Sequence, residues 1–353
     1  MKRILIIASL FLFTACQSLQ KSSGGSIFDS GNPRKQKEAL GLVPRGLNLS
    51  KAPDKIIFGC CANQDKAQPI WKAILEEKAD LMIAMGDMVQ AANPDQKSIA
   101  NEYKKAFKMD DYTKARETVP FLITWDDQDY GKVDGGADNP NKEEARKAIW
   151  FYYPYIKDST LLDQPGIFHS KVLGGVKEGR GRRAHTTPSV HVIMLDTRWN
   201  RTQKELLGAD QWEWLEDQMR EPADFKILVS SIQVLAEQHA FDKWSQFPKE
   251  KEKLLNLIAK SKPKNFLIVS GDRKLGAISK QEIKNYGTIH EVTAGSFNQP
   301  QELVEKESVY LNEAYNKENY GLISIDWSKR IAGIELKNLE GKPVQSLELK
   351  LKK

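Results

Sequence analysis

The chain has 353 residues, 40% of them apolar and 28% charged, with a net charge of +6. That size and balance suit a soluble globular protein with a sizeable core, in one large domain or two ordinary ones. Lys and Arg are scattered apart from 177–183 and the C-terminal Lys350, Lys352 and Lys353, so no nucleic-acid partner is expected.

Residues 1–16 read as a bacterial lipoprotein signal. Lys2 and Arg3 form a charged start, and 4–13 is an apolar run too short to span a bilayer. Thr14, Ala15 and Cys16 form a lipobox, which makes Cys16 the acylated N-terminus and its lipid the link to the membrane. Gln17 follows it rather than a retention Asp, as in outer-membrane sorting. The expected location is therefore the cell envelope, on the periplasmic side or at the surface. Residues 17–53 are rich in Ser, Gly, Asn, Pro and Lys and read as a flexible tether. The globular domain is expected over 54–353. No other segment is long and apolar enough to cross a membrane.

From there the elements alternate. A short apolar strand at 55–59 runs into Cys60 and Cys61. These adjacent cysteines give no disulfide framework. They read as small buried hydrophobes or as a thiolate metal ligand. Helical spacing follows at 69–77, then a strand at 80–85 ending on Gly86 and Asp87. A helix at 98–107 leads to a strand at 119–123, which delivers Asp126, Asp127 and Asp129 within four residues. Later strands are expected at 190–195, closing on Asp196 and Arg198, at 226–231, and at 266–270, closing on Asp272, Arg273 and Lys274. Helices are expected at 209–219 and 250–261. From 289 the chain turns to β, at 289–293, 321–327, 331–336 and 344–351, with a turn at 338–341 joining the last two.

Alternating strands and helices predict a parallel α/β start. Open α/β sheets bind ligands beyond the C-terminal ends of their strands. Acids recur at those ends, and acids so close together need a metal, a positive side chain or water between them.

The strings FGCCANQ (58–64), MGDMV (85–89), TWDDQDYGKVDGG (124–136), MLDTRWNR (194–201), GADQWEWLE (208–216), SSIQV (230–234) and SGDRK (270–274) follow one order. In that order they resemble the alkaline phosphatase D (PhoD-like) metallophosphatases. The resemblance implies a four-layer α/β/β/α sandwich of two mixed sheets flanked by helices. It also implies metal-dependent phosphoester hydrolysis, with calcium and iron as the metals. Cys61, Asp87, Asp127 and Asp272 stand at the implied ligand positions.

Other family positions are replaced. The pattern reads approximately GSC, GDNxY, WDDHDYGxND and SGDxH, whereas this chain has Met88, Gln90, Gln128, Val133 and Lys274 at the divergent places. Gln tolerates calcium but replaces imidazole poorly. An ammonium about 4 Å from a dication is repelled by roughly 8 kcal/mol at an effective dielectric of about 20. Lys274 is therefore expected to take a metal's place as counter-charge to the acids. Arg198 and Arg273 are candidate phosphate ligands. Arg198, Lys274 and His239, which follows SSIQV, are candidate catalytic residues. The expected ligand is a phosphoester or another anion. The resulting reading is a phosphatase-family lipoprotein with impaired or lost hydrolysis. The alternatives are a pseudophosphatase that binds an anionic ligand and a structural envelope lipoprotein.

Overall fold

A computed structural model describes residues 43–92, 99–153, 164–179, 185–302 and 305–353. The signal, Cys16 and most of the expected tether lie outside the described residues. The end of that tether is docked rather than free. Arg45 N donates to Arg116 O at 2.8 Å, Gly174 N donates to Leu49 O at 3.0 Å, and Ala52 is buried. Backbone contact with the domain thus begins at Arg45, ahead of the expected boundary at 53.

One sheet contains β1 (Lys55–Gly59), β2 (Leu81–Met85), β3 (Phe121–Thr124), β12 (Tyr320–Asp326), β13 (Ile331–Lys337) and β14 (Pro343–Lys350). The other contains β4 (His169–Gly174), β7 (Ser189–Met194), β8 (Phe225–Ser230), β9 (Phe266–Ser270), β10 (Ala277–Ile283) and β11 (Gly287–Thr293). Their orders are β14-β13-β12-β1-β2-β3 and β10-β11-β9-β8-β7-β4. Two short strands, β5 (Lys177–Glu178) and β6 (His185–Thr186), pair separately. The first sheet is antiparallel from β14 to β1 and parallel from β1 to β3, whereas the second is parallel at its centre and antiparallel at both edges, so both are mixed.

The central strands are apolar on both faces because each face is covered. On β1 and β2, Ile56, Phe58, Leu81, Ile83 and Met85 point into a core shared with Val192, Val229 and Val269 of the other sheet. Their neighbours Ile57, Met82 and Ala84 point outward beneath helices. Those helices are α1 (Ile70–Glu76), α2 (Ile99–Ala106), α3 (Asp110–Thr118) and α5 (Lys142–Tyr152). On the opposite side α6 (Ala209–Arg220) and α7 (Pro248–Ser261) cover Ile193, Leu228 and Ile268 with Trp212, Leu215, Leu254 and Ile258. Each fully buried large apolar side chain contributes about 1.5–3 kcal/mol. These are the four layers expected from the sequence. Phe151, Tyr152 and Tyr153 lie in the core of the first side.

Candidate metal centre

Strand ends from both sheets meet at one place. Gly86 and Asp87 follow β2 with φ of +97° and +52°. A Cβ at Gly86 would lie 2.5 Å from Asp126 N, so glycine is what lets these two loops close together. Asp126 follows β3 in extended conformation and precedes the single turn of α4 (Asp127–Tyr130). Asp272 follows β9 with φ of +62°.

Asp87, Asp126 and Asp272 each present a carboxylate oxygen, and these oxygens lie within 4.8 Å of one another. At that separation each pair of unit charges repels by about 3–4 kcal/mol at an effective dielectric of about 20. Burial, then the neighbouring Asp127, raises Asp87 well above the usual carboxylate range. Burial, then Asp126, does the same to Asp272. Burial pushes Asp126 up to about 6, against the opposing pull of Arg198.

The buried counter-charge is Arg198, from the loop after β7. Its Nε donates to Asp126 Oδ1 at 2.6 Å, and its Nη1 donates to Asp242 Oδ2 at 2.9 Å. Ser231 Oγ, just past β8, donates to the same Asp126 oxygen at 2.8 Å. Arg201 holds Asp242 with both terminal nitrogens. Asp126 Oδ2 is buried and has no hydrogen-bond partner among the described residues. A buried carboxylate oxygen without a partner is costly. Here it stands beside two further acids, and together they fit a metal ion.

The structure redistributes the roles expected from the sequence. Asp126 joins the triad in place of Asp127. Asp127 begins α4, and its Oδ2 accepts from Asp134 N at 3.0 Å, so it secures the following loop. Asp129 also serves the backbone, accepting from Met88 N at 3.0 Å and Val89 N at 3.2 Å. Among the described residues the ion pairs in the cluster are those of Arg198, and Lys274, expected as the counter-charge, makes none there. A guanidinium fork can bridge two carboxylates where one ammonium cannot. Cys61 is disulfide-bonded to Cys60, so it offers no thiolate in this state.

Arg198 and Arg273 do not face open space for a phosphate. Arg198 is fully buried between Asp126 and Asp242. Arg273 is paired with Glu305 and lies 3.9 Å from the centroid of the Phe241 ring.

His239 stands outside the triad. Its Nε2 is bonded to Gln233 Oε1 at 3.0 Å, and its Nδ1 accepts from Phe241 N at 3.2 Å. The ring holds its own loop, and burial, then Arg273, lowers its pKa to about 4. A histidine titrating lower when folded stabilises fully above about pH 6.5, and this stabilisation is lost as pH falls towards 4. His239→Gln should therefore flatten the decline in unfolding free energy from pH 6.5 to 4. An unchanged slope in urea titrations would reject this assignment.

A cavity of about 580 Å³ is lined by Lys132, Asp134, Arg201, Gln203, Gln246 and Phe247 among others, and none of the three triad acids lines it. Two of its lining residues hold acids outside the triad: Asp134 N donates to Asp127, and Arg201 pairs with Asp242.

Asp242, Ser231 and Asp126 were not singled out by the sequence as members of one network. Asp126 carried a signal, as one of two adjacent acids at a strand end. Asp242 carried none, because only the fold brings it beside Arg198.

Comparison with known proteins agrees with this architecture. A family model described as PhoD-like phosphatase matches residues 56–324. A solved structure titled "Structure of PhoD" superposes with a TM-score of 0.66 at 14% identity, covering 87% of this chain and 70% of that one. GAP50, titled the anchor in the inner membrane complex of Plasmodium, superposes at 0.59 with 15% identity, covering 86% and 90%. The purple acid phosphatase PPD1 from yellow lupin (Lupinus luteus) seeds superposes at 0.60 with 10% identity, covering 86% of this chain and 55% of that one. No curated protein matches the sequence. With the family match spanning most of the chain and the two-sheet metallophosphoesterase fold in place, the chain belongs to the PhoD-like phosphatases, a family of phosphoester hydrolases.

Proposed function

We propose that this domain holds one hard divalent cation, of the calcium class, at Asp87, Asp126 and Asp272. Through that ion it binds a phosphoester or related anion, and its hydrolysis is weak or lost. The observation that carries this reading is the oxygen-only triad with Asp126 Oδ2 unpartnered. Carboxylate donors suit calcium, magnesium or manganese, whereas iron and zinc favour imidazole and thiolate. A bound ion would supply Lewis-acid polarisation of the phosphate oxygens.

The chain's own residues explain the weakness. Both arginines expected to steady a phosphate are engaged by carboxylates, Arg198 by Asp126 and Asp242, Arg273 by Glu305. No histidine lies in the triad to move a proton.

Assays of phosphomonoesters and phosphodiesters with calcium, iron, manganese and zinc test the reading. Turnover near zero with calcium-dependent ligand binding is expected. Ordinary phosphatase turnover with iron would reject it. The triple variant Gln90→Tyr, Gln128→His and Lys274→His should raise turnover at least tenfold, since supporting groups alone change metal affinity or activity about 10–100-fold. No gain from a folded triple variant would argue for a closed cleft.

A second reading is a structural envelope protein in which the cleft is a relic. The shared fold of GAP50, titled an anchor, supports keeping it. Absence of calcium binding would favour it. Under both readings Cys16 is proposed to carry the lipid that holds the chain to the envelope membrane. Among the described residues no helix is long and apolar enough to cross a membrane. Loss of fatty-acid labelling in Cys16→Ala, with release from the membrane fraction, is the expected result.

A further inference from the structure

We infer that Cys60 controls the metal centre by oxidation: the Cys60–Cys61 disulfide withholds a sulfur ligand that reduction would return to the carboxylate triad. The inference rests on the metal-site reading above. It starts from position. The two cysteines form a disulfide at the end of β1, and both are fully buried.

The pair lies between the loops that carry the acids. Cys61 N donates to Gly86 O at 3.4 Å, and Ala62 N donates to Asp87 O at 2.8 Å. On the other side a Cβ at Gly271, the residue before Asp272, would lie 2.9 Å from Cys60 Sγ. A Cβ at Gly295 would lie 2.6 Å from Cys60 Sγ and 3.3 Å from Cys61 Sγ. Two glycines thus leave room for sulfur where any side chain would collide. Cys61 itself adopts φ of +69°, a conformation that non-glycine residues rarely take. Such backbone outliers concentrate at functional sites.

A dithiol reductant gives two electrons and two protons to the sulfur–sulfur bond, yielding two thiols and its own disulfide. Cys61 then loses its proton to solvent as it meets a cation, since the thiolate is the ligand. The oxidised site is oxygen-only and suits hard ions. The reduced site adds one soft donor and shifts preference towards softer metals. Full burial means that exchange must await opening of the loops around Gly86 and Gly295, so reduction should be slow in the folded protein.

The test uses the full domain, stripped of metal, with cobalt(II) and calcium as separate probes. Four forms are compared: oxidised wild type, dithiol-reduced wild type, Cys60→Ser and Cys61→Ser. Free thiols are first counted after denaturation without reductant. None are expected in oxidised wild type beyond any contributed by Cys16. Cobalt should give a sulfur-to-metal charge-transfer band in reduced wild type and in Cys60→Ser, with affinity about 10–100-fold above the oxidised form. Cys61→Ser should lack the band in either state, and calcium affinity should change little throughout. Cys60→Ser removes the bond while leaving Cys61 and the smaller serine in place, so it reads the effect without reductant. Equal cobalt affinity and no band in all four forms would overturn the inference while leaving the carboxylate site standing. Two free thiols from Cys60 and Cys61 before reduction would overturn it as well. No binding of either ion by any form would reject the metal site itself.

Discussion

Replacing Arg198 with methionine should destabilise the domain by about 3–5 kcal/mol, the cost of stranding a buried charge. The guanidinium is fully buried and bridges Asp126 and Asp242, at 2.6 Å and 2.9 Å. Methionine fills similar space but leaves two buried carboxylates facing each other. Arg201 still holds Asp242, so the larger loss falls on Asp126. Arg198→Lys should recover only part of the stability, because one ammonium cannot span both acids. Arg220 provides the control. Its pairs with Asp217 and Glu216 are exposed, and Arg220→Met should cost less than about 1 kcal/mol. Urea unfolding measures both. A loss below about 1 kcal/mol for Arg198→Met would mean that the acids relax or protonate freely, and Arg198 would not be the keystone charge.

Calcium should reverse the pH dependence of the centre. In the metal-free protein, burial and mutual repulsion raise Asp87, Asp126 and Asp272, with Asp126 at about 6. A carboxyl with a raised folded-state pKa binds more protons when native than when unfolded. Its contribution is therefore fully present below about pH 4 and lost as pH rises through about 6 and beyond. A cation that binds only the native state works in the other direction, because it needs the ionised acids. At a concentration one hundred times its Kd it adds about 2.7 kcal/mol. For a domain of this size that corresponds to a few degrees in Tm. Asp87→Asn should abolish the gain, and in chelator it should leave the protein as stable as wild type or more so at pH 7. An Asp87→Asn variant that in chelator gains no stability relative to wild type as pH rises from 4 to 7, or one that still gains from calcium, would contradict this.

The central strands were legible because burial on both faces leaves an unbroken apolar run, as in LMIAM of β2 and FLIVS of β9. Their C-terminal acids were legible for the same reason: the run stops where the chain leaves the core. Elements with weaker patterning were missed. Helix α3 reads DDYTKARET and buries only Tyr112, Ala115 and Arg116. Strand β10 reads AISKQEI and exposes Lys280. Edge strand β4 mixes exposed and buried residues without strict alternation. Such segments take their structure from tertiary pairing rather than from local propensity.

At the site, residue type was legible and direction was not. Two adjacent acids after β3 were visible, yet only the turn into α4 decides that Asp126 enters the triad and Asp127 serves a loop. The sequence placed a lysine at the end of the last motif, Lys274, and made it the counter-charge. The fold instead brings in Arg198, 72 residues from Asp126 along the chain. Asp242 lies a further 44 residues on and belongs to no recognisable string. The disulfide between neighbouring cysteines likewise depends on the sulfurs being enclosed together, which spacing does not reveal.

The most direct measurement is a calorimetric titration of chelator-stripped protein with calcium. One ion per chain is expected, with binding lost in Asp87→Asn, Asp126→Asn and Asp272→Asn and retained in Lys274→Met. Two tightly held ions per chain, or a single ion whose affinity ignores Asp126→Asn, would contradict it.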